Sequence, residues 1–190
     1  LTIPARYGMM TSILSFHDER LTAATAASCD LYMVAGGAGF SLLACDAEGS
    51  VWALRRWNPS KSPGSGTRSD AEALSDLRSV LTREVLFGWP FRRVRWAWYN
   101  AQATLVPRRL FQAEDLPAYF KLLLQPADYV YGYDELPEME CFVAYALHPD
   151  WVQIVEQFVP QALHTHFAHP LLRSWYGQAP TEHYNRKSVV

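Results

Sequence analysis

The chain has few cysteines, no long apolar run and almost no net charge. Its three cysteines, Cys29, Cys45 and Cys141, are odd in number, far apart and outside any CxxC pair. This spacing does not suit a disulfide framework and predicts buried thiols in a reducing compartment. No stretch reaches the roughly 18 apolar residues of a membrane-spanning helix, and no basic-then-apolar leader opens the sequence. We therefore expect a cytoplasmic protein without membrane insertion.

The sequence also has none of the compact signatures of common catalytic sites. It contains no GxSxG nucleophile elbow and no HExxH motif. Cys45 and Cys141 lie in apolar runs, where a thiol is usually inert. The cluster His164, His166 and His169 has no paired cysteine and no carboxylate immediately nearby, so we interpret it as three partly exposed histidines at a strand-to-helix junction. We predict neither a catalytic residue nor a metal site.

The composition is that of a globular chain with an uneven charge distribution. Apolar residues make up 49% and aromatic residues 14% of the 190 residues, which is enough to bury a sizeable core. Residues 51–109 hold eleven basic residues against four acidic ones, and residues 110–160 hold one against nine. These segments predict two surfaces of opposite sign, which are either solvated, self-complementary or used to dock an oppositely charged partner.

Residues 31–57 predict three strands joined by two tight turns. Apolar and β-branched runs occupy Leu31–Ala35, Phe40–Cys45 and Val51–Trp57. Asp46–Gly49 separates the second and third runs, and the first turn holds Gly36, Gly37 and Gly39. Glycine reaches positive φ without a Cβ clash, so glycines between apolar runs are typical of hairpins. A meander that opens an α/β chain usually forms half of its central sheet.

Helices and strands alternate after the meander. Ser69 and Glu72 form a capping box at the start of a helix, after a Pro, Gly and Ser-rich loop at Asn58–Arg68. In Arg92–Asn100, alternation places the tryptophans on one face and Arg93 and Arg95 on the other. The further expected elements are a turn of helix at Ser15–Leu21, a short helix near Phe111–Glu114, strands at Ala127–Tyr133 and Cys141–Leu147 separated by Asp134–Glu140, a helix from Pro149, a strand at Ala162–Phe167 and a helix at Pro170–Tyr176.

This order of elements predicts an α/β fold of the ribonuclease-H-like type. The expected architecture is a mixed sheet that opens with an antiparallel three-strand meander and carries helices on both faces. Actin and the sugar kinases use this domain twice, with nucleotide held between the copies. We expect an N-terminal extension at residues 1–28, the ribonuclease-H-like lobe at 29–178, and a linker to a missing second lobe at 179–190.

Three stretches resemble a known bacterial family. The meander, Thr104–Phe111 (TLVPRRLF) and Phe142–Ala146 (FVAYA) are similar to the family called domain of unknown function 3822. Members of that family resemble the actin-like ATPase fold. The resemblance implies a second, similar half, so that this fragment would be one lobe of a two-lobed molecule with an incomplete cleft.

The resemblance also implies what the first turn should contain. Active actin-like proteins carry an aspartate at the end of the first strand to position magnesium, and the following turn offers backbone N–H groups to phosphate. Here the carboxylate position falls near Ala35, while Gly36, Gly37 and Gly39 remain as a degenerate phosphate turn. We therefore expect no cofactor, since this half does not support binding of ATP and magnesium. A ribonuclease-H-type nuclease would likewise lack its carboxylates.

Arginines mixed with aromatic residues give a further candidate surface. Arg93, Arg95, Arg108 and Arg109 occur near Trp96, Trp98 and Tyr99, a mixture that can hold a nucleic-acid strand. The tryptophans alternate away from Arg93 and Arg95, and a pI near 6.3 lacks the excess of basic residues typical of a dedicated nucleic-acid binder. We therefore interpret the four arginines as a possible protein interaction surface.

The expected function is protein–protein assembly or scaffolding by a catalytically degenerate lobe, through a protein partner or self-association. One alternative is a nucleotide-binding phosphotransferase or ATPase whose site is completed by the second lobe. The other alternative is a nucleic-acid-binding module.

Overall fold

A six-stranded mixed sheet and a smaller three-stranded sheet organise the chain. The structure is a computed structural model that describes residues 12–36, 39–59, 69–122 and 129–178. The strands are β1 (Ser12–His17), β2 (Asp30–Gly36), β3 (Gly39–Cys45), β4 (Val51–Trp57), β5 (Arg93–Tyr99), β6 (Ala103–Pro107), β7 (Val130–Leu136), β8 (Cys141–Leu147) and β9 (Leu163–His166). The helices are α1 (Asp70–Arg83), α2 (Leu116–Tyr119), α3 (Pro149–Phe158) and α4 (Ala168–Gln178).

The predicted meander is confirmed. Strands β2, β3 and β4 pair antiparallel in chain order, and Gly36 faces Gly39 at the end of the first hairpin. In the second turn the Asp46 side chain accepts hydrogen bonds from the backbone N–H groups of Glu48 and Ser50. Gly49 there has a φ of 86°, a conformation that L side chains rarely adopt.

The predicted turn of helix at Ser15–Leu21 is wrong, because β1 continues through His17. Strand β1 pairs antiparallel with β4, with Phe16 opposite Leu54. All six residues of β1 are exposed, so no buried face gives this segment a period that its sequence could reveal. Backbone hydrogen bonding to the edge of β4 decides its conformation, and a turn begins only at Asp18, whose side chain accepts from the Arg20 N–H.

The predicted ribonuclease-H-like class is confirmed by the sheet order β1-β4-β3-β2-β5-β9. Strand β5 pairs parallel to β2, and β9 pairs parallel to β5. Helices α1 and α3 pack on one face of the sheet, where Leu77 and Val155 join the main core. Helix α4 follows β9 and lines a groove on the opposite face. We call these the core face and the outer face.

Local patterns placed α1 and β5 correctly. The Ser69 hydroxyl accepts from the Glu72 N–H while the Glu72 side chain accepts from the Ser69 N–H, so the capping box is present. In β5, Trp96 and Trp98 are buried on the core face, while Arg93 and Arg95 are exposed.

The three-stranded sheet, in the order β6-β8-β7, is inserted between β5 and α3. The expected separation at Asp134–Glu140 is wrong in its first half, because Asp134, Glu135 and Leu136 extend β7. The Asp134 carboxylate accepts hydrogen bonds from the Thr165 hydroxyl and the His166 N–H, and these bonds to β9 stabilise the extended conformation at this acidic residue. The expected short helix begins as a 3₁₀ turn at Ala113–Asp115 and continues as α2.

Two sequence-based expectations can be compared only with the described residues. None of the helices found there is long and apolar enough to cross a membrane. Cys29, Cys45 and Cys141 are all free thiols, in agreement with the expected absence of a disulfide framework.

Candidate functional site

A cavity of about 350 Å³ lies where β2, β5 and β8 end. Ligands of open α/β sheets bind at the carboxyl ends of strands, so this position is the natural candidate site. We call it the strand-end cavity. Its described lining consists of Ala35, Gly36, Ser69, Ala73, Trp98, Tyr99, Asn100, Gln102, Tyr129, Ala146, Leu147, His148 and Trp151.

Two helix N-termini contribute to the cavity. Ser69 caps α1 and His148 caps α3, and both residues line it. The N-terminal end of a helix carries partial positive charge from its free N–H groups. In each helix a side chain already accepts a hydrogen bond from one of these N–H groups. The Ser69 hydroxyl accepts from the Glu72 N–H, and His148 Nδ1 accepts from the Asp150 N–H at 3.3 Å.

The remaining lining is neutral and aromatic. Among the side chains that the structure describes there, none belongs to an aspartate, glutamate, lysine or arginine. Asn100, Gln102 and His148 offer hydrogen bonds, and Trp98 and Trp151 meet edge to face with their ring centroids 6.2 Å apart. This arrangement can hold an uncharged polar or aromatic group, but it offers no carboxylate to a metal ion.

The glycines of the first hairpin have structural reasons to be glycine. A Cβ on Gly36 would overlap the carbonyl oxygen of Tyr99 and lie 3.0 Å from the Tyr99 Cβ. Gly39 has a φ of 125°, and a Cβ there would lie 2.5 Å from the Trp57 carbonyl oxygen. Gly36 lines the cavity and Gly39 does not, while Gly37 lies outside the described residues. The close approach of β5 therefore accounts for Gly36, and the positive φ together with the close approach of β4 accounts for Gly39.

The end of β2 carries an alanine at the position where active actin-like proteins have a metal-binding aspartate. Ala35 is 1% exposed and its neighbours on the core face are apolar. The acidic residue of this strand, Asp30, lies at the other end, about 16 Å away at 3.3 Å per residue. Asp30 Oδ1 there accepts from Arg92 Nε at 2.8 Å, and this hydrogen bond lowers the pKa of the carboxyl group.

Asn100 joins the cavity to β9 and α4, a role that the sequence did not reveal. Its Nδ2 donates to the Ala146 carbonyl oxygen at 2.8 Å, and its Oδ1 lies 3.0 Å from His166 Nε2. The Ala168 N–H donates to His166 Nδ1, so the proton of the neutral ring lies on Nε2. The signal for Asn100 in the sequence was that this polar residue comes directly after a buried strand.

The histidine cluster is structural in the described part of the chain. His164 Nδ1 accepts from Trp98 Nε1 at 3.1 Å, and His169 Nε2 lies 3.2 Å from the Glu135 carbonyl oxygen. Burial lowers the pKa of both His164 and His166. No group of three His, Cys, Asp or Glu side chains among the described residues is arranged to hold a metal ion.

The four candidate arginines lie in two different parts of the fold. Arg93 and Arg95 project from the outer face of the six-stranded sheet. Arg108 and Arg109 lie in a 3₁₀ turn directly after β6, and Arg108 Nη2 is 3.0 Å from Glu135 Oε1. The structure therefore brings Arg93 and Arg95 together and puts Arg108 and Arg109 on a separate surface.

Comparison with solved structures shows the fold. The chain is similar to a protein from Bacteroides thetaiotaomicron that is described as having an actin-like ATPase fold and unknown function, with a TM-score of 0.70 and 15% sequence identity. The match covers 82% of this chain and 58% of that chain, so this chain spans little more than half of its length.

No curated protein matches the sequence. The family model described as "Protein of unknown function (DUF3822)" matches residues 18–190. The resemblance noted in the meander and in the two later stretches is thereby confirmed, and the chain belongs to this family.

Proposed function

We propose that this chain is a lobe of an actin-like protein that has lost the chemistry of ATP hydrolysis and acts through contacts with other proteins. The observation that carries the proposal is the alanine at the end of β2, beside a cavity whose described lining has no carboxylate. Metal-assisted phosphoryl transfer needs a carboxylate or an equivalent ligand to hold the metal against the phosphates.

Glu72 and Asp150, which lie in the first turns of the two helices that begin at the cavity, both have other partners. Glu72 is bound to Ser69 in the capping box. Asp150, in the first turn of α3, is 58% exposed and its Oδ2 lies 3.6 Å from His148 Nδ1. The undescribed stretches 37–38 and 60–68 contain no acidic residue in the sequence, while the undescribed stretch 123–128 contains Asp128, next to Tyr129 of the cavity lining. These positions support the loss of a metal anchor in this lobe.

The surface supports the second half of the proposal. Several large apolar side chains are exposed on the described surface, and they include Leu105, Leu110, Leu163 and Trp175 at 48%, 60%, 60% and 65%. Each of these side chains would gain free energy if another protein covered it, because burial removes apolar surface from water. The opposite charges of residues 51–109 and 110–160 add sites at which a charged partner can be recognised.

A nucleotide-binding protein is the rival function. The observation that favours it is the position of the cavity, at the ends of strands and beside two helix N-termini, where anions are stabilised. A complete site would then draw its metal ligands from outside this chain. The two functions differ in what ATP and magnesium do to the protein.

Phosphate release by the full-length protein with ATP and magnesium tests the first half of the proposal. We expect no turnover above the rate of the protein-free control. Trp98 and Trp151 line the cavity, so nucleotide binding should also change the tryptophan fluorescence. Trp151→Phe removes one of the two tryptophans that would report nucleotide binding and should reduce any fluorescence change. Trp175→Phe, in a residue 65% exposed on α4, is the matched control and should leave that change unaltered. Magnesium-dependent turnover would end the proposal in favour of the rival.

A further inference from the structure

The outer face of the six-stranded sheet presents two continuous cross-strand rows. The paired residues of the first row are Phe16, Leu54, Leu43, Tyr32, Arg95 and Leu163. Those of the second row are Leu14, Arg56, Ser41, Val34, Ala97 and Thr165. In the first row Leu54, Leu43 and Tyr32 lie side by side on β4, β3 and β2, followed by Arg95 on β5. In the second row Val34 and Ala97 are apolar, while Arg56 and Ser41 are polar.

A groove of about 700 Å³ runs over this face beside α4. Val34, Leu43 and Leu54 lie on its floor, and Arg173 and Ser174 of α4 form a wall. No described residue of α1, α2 or α3 lines it. Sheets of this class are normally covered by helices on both faces. The groove is thus a place beside α4 where a second helix can pack on the sheet.

The groove is apolar at its floor and cationic at its rim. Arg56, Arg93 and Arg95 are exposed on the outer face. The acidic residue that lines the groove, Asp134, already accepts two hydrogen bonds, from Thr165 and from the His166 N–H. Asp134 keeps its negative charge and offsets part of the positive charge of the rim, and Asp30, which faces Arg93, is paired with Arg92. Arg56, Arg93 and Arg95 therefore leave an excess of positive charge on the outer face among the residues that the structure describes there.

We propose that this groove binds an amphipathic helix of another protein, with an apolar stripe against the sheet and acidic residues along its flank. Helix-in-groove recognition uses apolar anchors at positions i, i+3, i+4 and i+7, and complementary charges fix the orientation. This inference names the partner class for the assembly half of the proposed function and depends on it.

Charge argues against the other occupants. Two copies packed outer face to outer face would bring the arginines of both rims together, and like charges across an interface are unfavourable. A nucleic-acid strand would leave its polar backbone against Val34, Leu43 and Leu54. The undescribed segments 1–11, 60–68 and 179–190 each carry a net positive charge in the sequence. Residues 123–128 contain one aspartate, but six residues make less than two helical turns.

Site-specific photocrosslinking of the full-length protein in its native host tests the proposal. The photoreactive residue p-benzoylphenylalanine replaces Leu163, which lines the groove and is 60% exposed. A parallel protein carries it at Leu105, 48% exposed on the three-stranded sheet. Mass spectrometry identifies the crosslinked peptide. Arg95→Glu is combined with the Leu163 protein, and Arg78→Glu, an exposed position on α1 at the core face, is the matched control.

We expect a peptide from another protein with helical apolar spacing and an excess of Asp and Glu. Charge reversal at Arg95 should lower its yield about tenfold, and charge reversal at Arg78 should leave it unchanged. A product with this chain itself, with a second copy or with nucleic acid would overturn the proposal, as would no product at position 163. A crosslinked product at position 105 alone would show that the groove is not the binding site, but it would leave the proposed assembly function in place. ATP turnover would instead overturn the proposed function.

Discussion

His166 donates its Nε2 proton to Asn100, with 3.0 Å between the nitrogen and the Asn100 Oδ1. The other ring nitrogen accepts from the first N–H of α4, so a single buried, neutral imidazole joins the end of β5 to the start of α4. A second proton would remove the acceptor at Nδ1. The connection between the strand-end cavity and α4 therefore depends on the neutral state of this ring.

Stability should fall as the pH falls from 7.5 to 5. Burial lowers the pKa of His164 and His166, so the folded chain resists protonation that the unfolded chain accepts near pH 6.5. The stabilising contribution is complete above the unfolded pKa and is lost as the pH falls towards the folded pKa. The free energy of unfolding in urea should decrease by up to about 1.4 kcal/mol per pH unit for each histidine. His164→Gln should reduce the slope, and an unchanged slope would contradict this account.

Gly36→Ala should destabilise the chain by about 2–3 kcal/mol, since the added methyl group overlaps the backbone of Tyr99 in the neighbouring strand. The measurement is the midpoint of urea unfolding at constant m-value. Gly88→Ala is the control, because no heavy atom lies within 4 Å of a Cβ there. Equal effects of the two substitutions would show that the close approach of β2 and β5 is not what requires glycine.

Ser69→Ala should cost about 1 kcal/mol, because it removes the hydroxyl that accepts from the Glu72 N–H in the first turn of α1. Ser75→Ala, an exposed position within the same helix, is the matched control and should be neutral or slightly stabilising. Thermal unfolding followed by circular dichroism measures both variants. A loss at Ser75 as large as that at Ser69 would refute the role of the cap.

Asp134→Ala should cost about 2 kcal/mol, because it leaves the buried N–H of His166 and the hydroxyl of Thr165 without their acceptor. Asp134 lies in β7 and both donors lie in β9, so this carboxylate links the two sheets. Asp150→Ala, at a carboxylate 58% exposed, should change the unfolding free energy by about 0.5 kcal/mol. Hydrogen exchange at the His166 amide should rise in the Asp134 variant alone.

Short-range patterns were sufficient for the elements whose causes lie within a few residues. Examples are the glycines and Asp46 of the meander, the capping box of Ser69 and Glu72, and the alternation in β5. Each of these features depends on residues that are close together in the sequence. The two segments whose conformation was predicted wrongly are held in place by contacts with residues that are distant in the sequence. Strand β1 is exposed on both faces, and the acidic start of Asp134–Glu140 becomes a strand through donors more than 30 residues away.

The sequence by itself determined the ribonuclease-H-like order of elements, the family resemblance and the alanine at the end of the first strand of the meander. Only the tertiary structure placed Asn100, His148 and Trp151 around one cavity, and aligned Leu54, Leu43 and Arg95 across the outer face. The physical reason is distance along the chain: hydrogen bonds such as that from Trp98 to His164 join residues 66 positions apart. Their formation depends on how the strands pair, which no local pattern encodes.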